Sequence, residues 1–148
     1  MKRVDDSKKL SDLSIPGTHD SCARVGGIYA ECQALALKDQ FAIGIRFLDV
    51  RCRRLGAKFT IHHGSVFQNM DFADVQNACI EFLKANPSEC IVMNVQEEYK
   101  PEENPPSFEV TFKKYIEGHK EFWYTDAATP ALGQVRGKIV LVGRARRV

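Results

Sequence analysis

Residues 71–99 read DFADVQNACIEFLKANPSECIVMNVQEEY, and this stretch decides the fold class. Phe72, Val75, Cys79, Phe82 and Leu83 recur at spacings of three and four, which predicts an amphipathic helix over 71–86 with Asp71 capping its first turn. Asn86-Pro87 stops that helix. Cys90 to Val95 is then a nearly continuous apolar run, as expected of an interior parallel strand covered on both faces, and it ends in Gln96-Glu97-Glu98-Tyr99. A helix feeding a fully buried strand is the repeating unit of an α/β protein.

Working outward, the same alternation continues. Leu13 to Pro16 predicts a short strand, and residues 29–43 have the Ala, Leu, Gln and Lys content of a helix that Gly44 ends. Ile45 to Val50 predicts a buried second strand that stops at Arg51, and Lys58 to His62 a short third one. Downstream, Pro101 to Pro106 is a loop. Phe108 to Ile116 predicts a helix capped by Ser107, and Lys138 to Val142 a last buried strand. About five strands alternating with helices imply a parallel sheet or a TIM-barrel-like (βα) fold, apparently incomplete, with right-handed crossovers. His19, Arg51, His63, Gln96 and Arg144 each follow the C-terminal end of a proposed strand, the face on which α/β barrels place their sites.

A chain of 148 residues, 44% hydrophobic and 27% charged, is expected to form one globular domain over 1–148. The net charge of +2 is too small to argue for nucleic acid. Arg136, Lys138, Arg144, Arg146 and Arg147 make the last segment locally basic, which suits either a solvated terminus or an anionic membrane surface. No apolar run approaches the roughly 20 residues that span a bilayer, and no signal-like stretch follows Met1 to Asp6. The five cysteines contain no Cys-x-x-Cys pair, so a zinc ribbon is not indicated; a Cys22–Cys32 disulfide stays open.

The chemistry-bearing segments are Ser14-Ile15-Pro16-Gly17-Thr18-His19-Asp20-Ser21, Phe47-Leu48-Asp49-Val50-Arg51 and Ile61-His62-His63-Gly64. Two histidines suit an acid–base pair, one accepting a proton while the other, kept charged by a carboxylate such as Asp20 or Asp49, donates one. Arg51 offers a permanent charge and paired donors to a phosphate. Together these are the means to break a phosphodiester without a metal or other cofactor. The competing reading is a metal site drawn from His19, Asp20, Asp49, His62 and His63; the fixed charge of Arg51 beside it argues the other way. Neighbouring strand residues face opposite sides, so one of His62 and His63 enters a common pocket, and Gly64 favours His63. Asp20 also suits a local turn cap, and His119, beside Gly118, reads as a surface or capping residue.

These segments resemble the catalytic X domain of the bacterial phosphatidylinositol-specific phospholipase C family, and the likeness continues through Phe82 to Glu89, the strand before Glu98-Tyr99, and Arg136 to Leu141. The resemblance implies that His19 is the general base for the inositol 2-hydroxyl. It implies that His63 is the general acid, that Asp20 orients and charges it, and that Arg51 stabilises the phosphorane. Asp49, Gln96 and Arg144 are then the expected substrate contacts. The implied reaction converts phosphatidylinositol, or a glycosyl-phosphatidylinositol, at a membrane surface into diacylglycerol and inositol 1,2-cyclic phosphate; secretion is implied too. Eukaryotic relatives carry calcium-binding carboxylates, one at the position of Arg51, so calcium is not expected here. Gln96 departs from the bacterial lysine and from the eukaryotic glutamate.

Family members are about twice as long, and the missing half would supply the carboxylate behind His19. Its absence makes a catalytically impaired headgroup-binding fragment the alternative reading, and an unclosed sheet would invite self-association. A ribonuclease-type activity is disfavoured, because no aromatic-interleaved basic stripe is present.

Overall fold

A computed structural model describes residues 1–143. Seven strands form one mixed sheet: β1 Gly17–Thr18, β2 Phe47–Leu55, β3 Lys58–His63, β4 Val66–Asp71, β5 Ile91–Glu97, β6 Trp123–Tyr124 and β7 Ile139–Val142. Four helices accompany them, α1 Leu37–Ala42, α2 Phe72–Ala85, α3 Phe108–Glu117 and α4 Leu132–Val135. The strand order is β4-β3-β2-β5-β7-β6, and β1 pairs with β2 outside that path.

Alternation along the strands builds two unlike faces. Leu48, Val50 and Cys52 of β2, Ile91, Met93 and Val95 of β5, and Ile139 and Leu141 of β7 all belong to one core with residues of α1, α2 and α3. Phe59 is completely buried there. Its ring lies 4.7 Å from that of Phe108, and 5.8 Å from that of Tyr115. The opposite face is divided along its length. Phe47, Val92, Val140 and Val142 pack there with Leu132 and Val135 of α4. Farther along the same strands come Asp49, Arg51, Asn94 and Gln96, which line a cleft.

The helix over 71–86 forms as Phe72–Ala85, with the Asp71 amide donating to Asp74 Oδ2 at 2.8 Å. Ser107 caps α3 as predicted, accepting from the Val110 amide at 3.2 Å. Ser107→Ala should therefore cost about 1 kcal/mol, read as a lower urea midpoint; an unchanged midpoint would show the cap to be idle.

Elsewhere the chain departs from expectation. Leu13 to Pro16 is not a strand; only Gly17–Thr18 pairs with β2. The helix over 29–43 shrinks to a 3-10 turn at Gly27–Tyr29 and to α1, because residues 30–36 fold back over the start of the chain. The amides of Cys32 and Gln33 both donate to the Ala23 carbonyl at 2.9 Å, and Gln33 Nε2 donates to the His19 carbonyl at 2.6 Å. Tertiary hydrogen bonds thus outweigh helix propensity. The strand count is seven rather than about five, since β4 and β6 were not anticipated. Nor is the sheet wholly parallel, because β2, β3 and β4 are joined antiparallel.

Cys22 and Cys32 are both free. Cys22 is buried in the core with Cys52 and Cys79, while Cys32 is exposed. Arg136, read as part of a basic surface, is a clamp between chain ends: Nη2 donates to the Val4 carbonyl at 2.7 Å and Nε to Asp6 Oδ1 at 2.6 Å. Lys138 Nζ donates to the Glu121 carbonyl at 2.9 Å. Among the described residues no helix is long and apolar enough to cross a membrane.

Candidate active site

The site is assembled around β2. Its edge away from β5 is shared by two strands: β1 runs parallel beside Phe47 and Leu48, and β3 runs antiparallel beside Cys52 to Leu55. Between those pairings lie residues 49–51, and the loop after β1 serves them instead. The Ser21 amide donates to the Asp49 carbonyl at 2.8 Å, and the Asp49 amide donates to Ser21 Oγ at 2.9 Å. His19 and Asp20 are thereby held from one direction and His63 arrives from the other. His63 therefore reaches the site through a returning hairpin, not from a parallel strand as its position in the sequence implies.

On the other edge the register of β2 with β5 sets Asp49 beside Asn94 and Arg51 beside Gln96. The resulting cleft of about 460 Å³ is lined by Gly17, Thr18, His19, Phe47, Asp49, Arg51, Asn94 and Gln96. That is within the size range of small-molecule sites.

Asp49 is the hub. Its Oδ1 accepts from Asn94 Nδ2 at 3.2 Å; Oδ2 accepts from the Asp20 amide at 3.2 Å and from Arg51 Nε at 3.0 Å. The same Oδ2 is 3.5 Å from His19 Nδ1. Arg51 Nη2 lies 3.3 Å from that nitrogen. His19 Nδ1 thus faces both the Asp49 carboxylate and the Arg51 guanidinium, and Nε2 of this largely exposed ring is turned away from them. A carboxylate thus stands behind His19 within the chain, contrary to the expectation that only a further segment supplies one.

Asp20 is strained and buried. Its φ of 42° places it in the left-handed region, which Asp tolerates better than most residues. The side chain has no solvent exposure, and neither carboxylate oxygen has a hydrogen-bond partner. Oδ2 lies 3.9 Å from His63 Nε2 and 4.0 Å from Arg51 Nε. Burial pushes the Asp20 carboxyl up to about 6, against the opposing pull of Arg51 and His63.

Arg51 is held on both sides. Beyond Asp49 it reaches Glu98, with Nη1 3.3 Å from Oε2. Glu98 Oε1 also accepts from the Gly64 amide at 3.4 Å, linking the end of β5 to the turn after His63. These carboxylates hold the Arg51 guanidinium above its usual range, although burial opposes them. Glu98 had no expected role; its spacing of two from Gln96 was the available signal. His62 takes the other side of β3. It is buried, stacks on Tyr99 with ring centroids 6.1 Å apart, and lies 5.6 Å from Phe67. Burial and then Arg53 push its imidazole below the usual range, which favours the neutral ring. His119 precedes a 3-10 turn after α3, away from the cleft residues. Arg144, Arg146 and Arg147 lie outside the described residues.

Fold and site together define an α/β protein of barrel type with an arginine-centred, anion-competent cleft at its strand ends. The profile of the phosphatidylinositol-specific phospholipase C X domain matches residues 7–145, and the chain belongs to that family. The 1-phosphatidylinositol phosphodiesterase of Listeria monocytogenes is 34% identical over 155 aligned residues, covering 96% of this chain and 47% of that protein. The phosphatidylinositol-specific phospholipase C structure from Listeria monocytogenes superimposes with a TM-score of 0.84 at 32% identity, covering 99% of this chain and 56% of that one. A Staphylococcus aureus counterpart, from work on modulating its membrane binding, gives 0.91 at 30%, covering 97% and 51%. The chain thus spans about half the length of the curated relatives it matches, and its sheet corresponds to an incomplete barrel.

Proposed function

We propose that the chain carries the acid–base site of a metal-independent phosphatidylinositol-specific phospholipase C, acting on phosphatidylinositol or a glycosyl-phosphatidylinositol at a bilayer surface. The observation that carries this reading is the pair of histidine–carboxylate contacts, His19 with Asp49 and His63 with Asp20, on either side of Arg51. His19 Nε2 takes the proton of the inositol 2-hydroxyl, whose oxygen forms the new bond to phosphorus. His63 gives a proton to the glycerol oxygen as the phosphorus–oxygen bond to diacylglycerol breaks. Arg51, fixed by Asp49 and Glu98, meets the charge that builds on the phosphorane oxygens. Asp49 spends both carboxylate oxygens inside the protein, which suits holding His19 and Arg51 in place. Gln96 and Arg144 are assigned to the headgroup.

The binding-only alternative rested on a base without a carboxylate, and the 3.5 Å between Asp49 Oδ2 and His19 Nδ1 supports the catalytic reading over it. Phosphatidylinositol vesicles treated with the protein in the presence of EDTA should release inositol 1,2-cyclic phosphate, identified by its phosphorus resonance. Folded protein that releases none, or that requires added calcium, would overturn the reading.

A further inference from the structure

The geometry points to a binding site for zinc, or a cation of like softness, formed by Asp20, Cys32 and His63. A carboxylate oxygen, a sulfur and an imidazole nitrogen from these three residues lie within 4.8 Å of one another. Tetrahedral zinc, with bonds of about 2.0–2.3 Å, needs its ligands about 3.5 Å apart, so a shift of roughly 1 Å closes the set. Cys32 can supply that shift. It is exposed and lies on the irregular segment between the Gly27–Tyr29 turn and α1, anchored through its amide and not through its side chain.

The second observation is Asp20 itself. A fully buried carboxylate with neither oxygen hydrogen-bonded, its nearest cationic nitrogens 3.9 and 4.0 Å away, is costly, and a bound cation is what would offset the cost. The charge of Arg51 does not forbid it. Asp49 and Glu98 engage that guanidinium at 3.0 and 3.3 Å, closer than its 4.0 Å to Asp20. Sulfur and nitrogen with a single carboxylate select a borderline-soft ion over calcium or magnesium, which take oxygen ligands. Binding exchanges the thiol proton for the metal: the S–H bond breaks, a sulfur–zinc bond forms, and the proton passes to buffer. Water fills the fourth position.

The binding claim stands apart from the catalytic reading, whereas its consequence rests on it: zinc occupies the proposed general acid and its carboxylate, so it inhibits turnover. Cobalt(II) titration of the chain should give one equivalent bound with a thiolate-to-cobalt charge-transfer band. Only Cys32 can produce that band, because the other four cysteines are buried. Cys32→Ser, checked for an unchanged circular dichroism spectrum, should lose the band and weaken zinc at least about 100-fold in competition with a chromophoric chelator. That is at least the loss caused by removing an outer-shell partner. A missing band, or full affinity in the variant, overturns the site. Zinc that binds without slowing phosphatidylinositol cleavage overturns the inhibition. A preparation without turnover counts against the catalytic reading while the cobalt spectrum still decides the site.

Discussion

His19→Ala and His63→Ala are each expected to lower phosphatidylinositol cleavage by about 10²–10⁴-fold, the range that positioned proton transfer contributes. The two losses should differ in kind. A substrate whose leaving oxygen is a far better leaving group than glycerol no longer needs protonation, so His63→Ala should recover much of its rate on such an inositol phosphodiester. His19→Ala should not, because the attacking hydroxyl still has to lose its proton. Rates on both substrates, with EDTA present, separate the roles. Equal recovery in both variants would remove the assignment of base and acid, and an active His63→Ala enzyme on phosphatidylinositol would remove the acid altogether. His62→Ala serves as the contrast. Its ring is buried against Tyr99 and Phe67, so stability should suffer while the pattern of leaving-group dependence stays that of the parent.

Asp20→Asn should make the protein more stable and less active. A carboxyl at about 6 in the folded state, against 3.8 as the ordinary value, binds protons more tightly when folded. Unfolding stability therefore falls as pH rises from about 4 to 6 and stays reduced above that. The ionised group costs roughly 3 kcal/mol at pH 7, which Asn removes. The variant should gain about 6–12 °C in Tm at pH 7 to 8 for a domain of this size. Below about pH 3 the parent carboxyl is protonated in both states and the gain should vanish. Cleavage should fall, because His63 loses the carboxylate that faces its Nε2 at 3.9 Å. Thermal melts of both proteins from pH 3 to 8 are the measurement. A gain that ignores pH, or a loss of stability, would mean that Asp20 is not the buried charge described above.

The parts of the fold that could be read from the sequence are those whose patterns are local and unbroken. Strands β2 and β5 announce themselves by apolar runs, and α2 and α3 by their caps and spacing. The polar residues in those strands pointed to Arg51 and Gln96, which do line the cleft, but Arg51 lies within β2 and not at its end, since the strand runs on to Leu55. Strand β4 was hidden because its pattern is inverted: Gln68 is buried while Phe67 is exposed. The reason is tertiary, since Gln68 Oε1 accepts from the amides of Arg24 and Val25 at 2.7 and 2.8 Å. Strand β6 has two residues and offers no pattern at all. The segment 30–36 resembles helix in composition, and only its bonds to Ala23 and His19 show why it is not. Cys32 at the site was invisible for that reason. Asp49 as a partner of His19 depends on the pairing of β1 with β2, which no local signal encodes.

The divided edge of β2 has a consequence for how this site tolerates change. Two segments approach along one rail from opposite ends, and the histidines stand at the facing tips. Lengthening the loop from residue 22 to 36 keeps the strand pairing of both tips but puts at risk the bond from Gln33 Nε2 to the His19 carbonyl, so variation there bears on the base before the acid. The hairpin that joins β2 to β3 has no such slack. A slip of one residue would turn His63 toward the interior and bring His62 to the cleft face, exchanging the imidazole beside Asp20 for one that the sequence keeps buried.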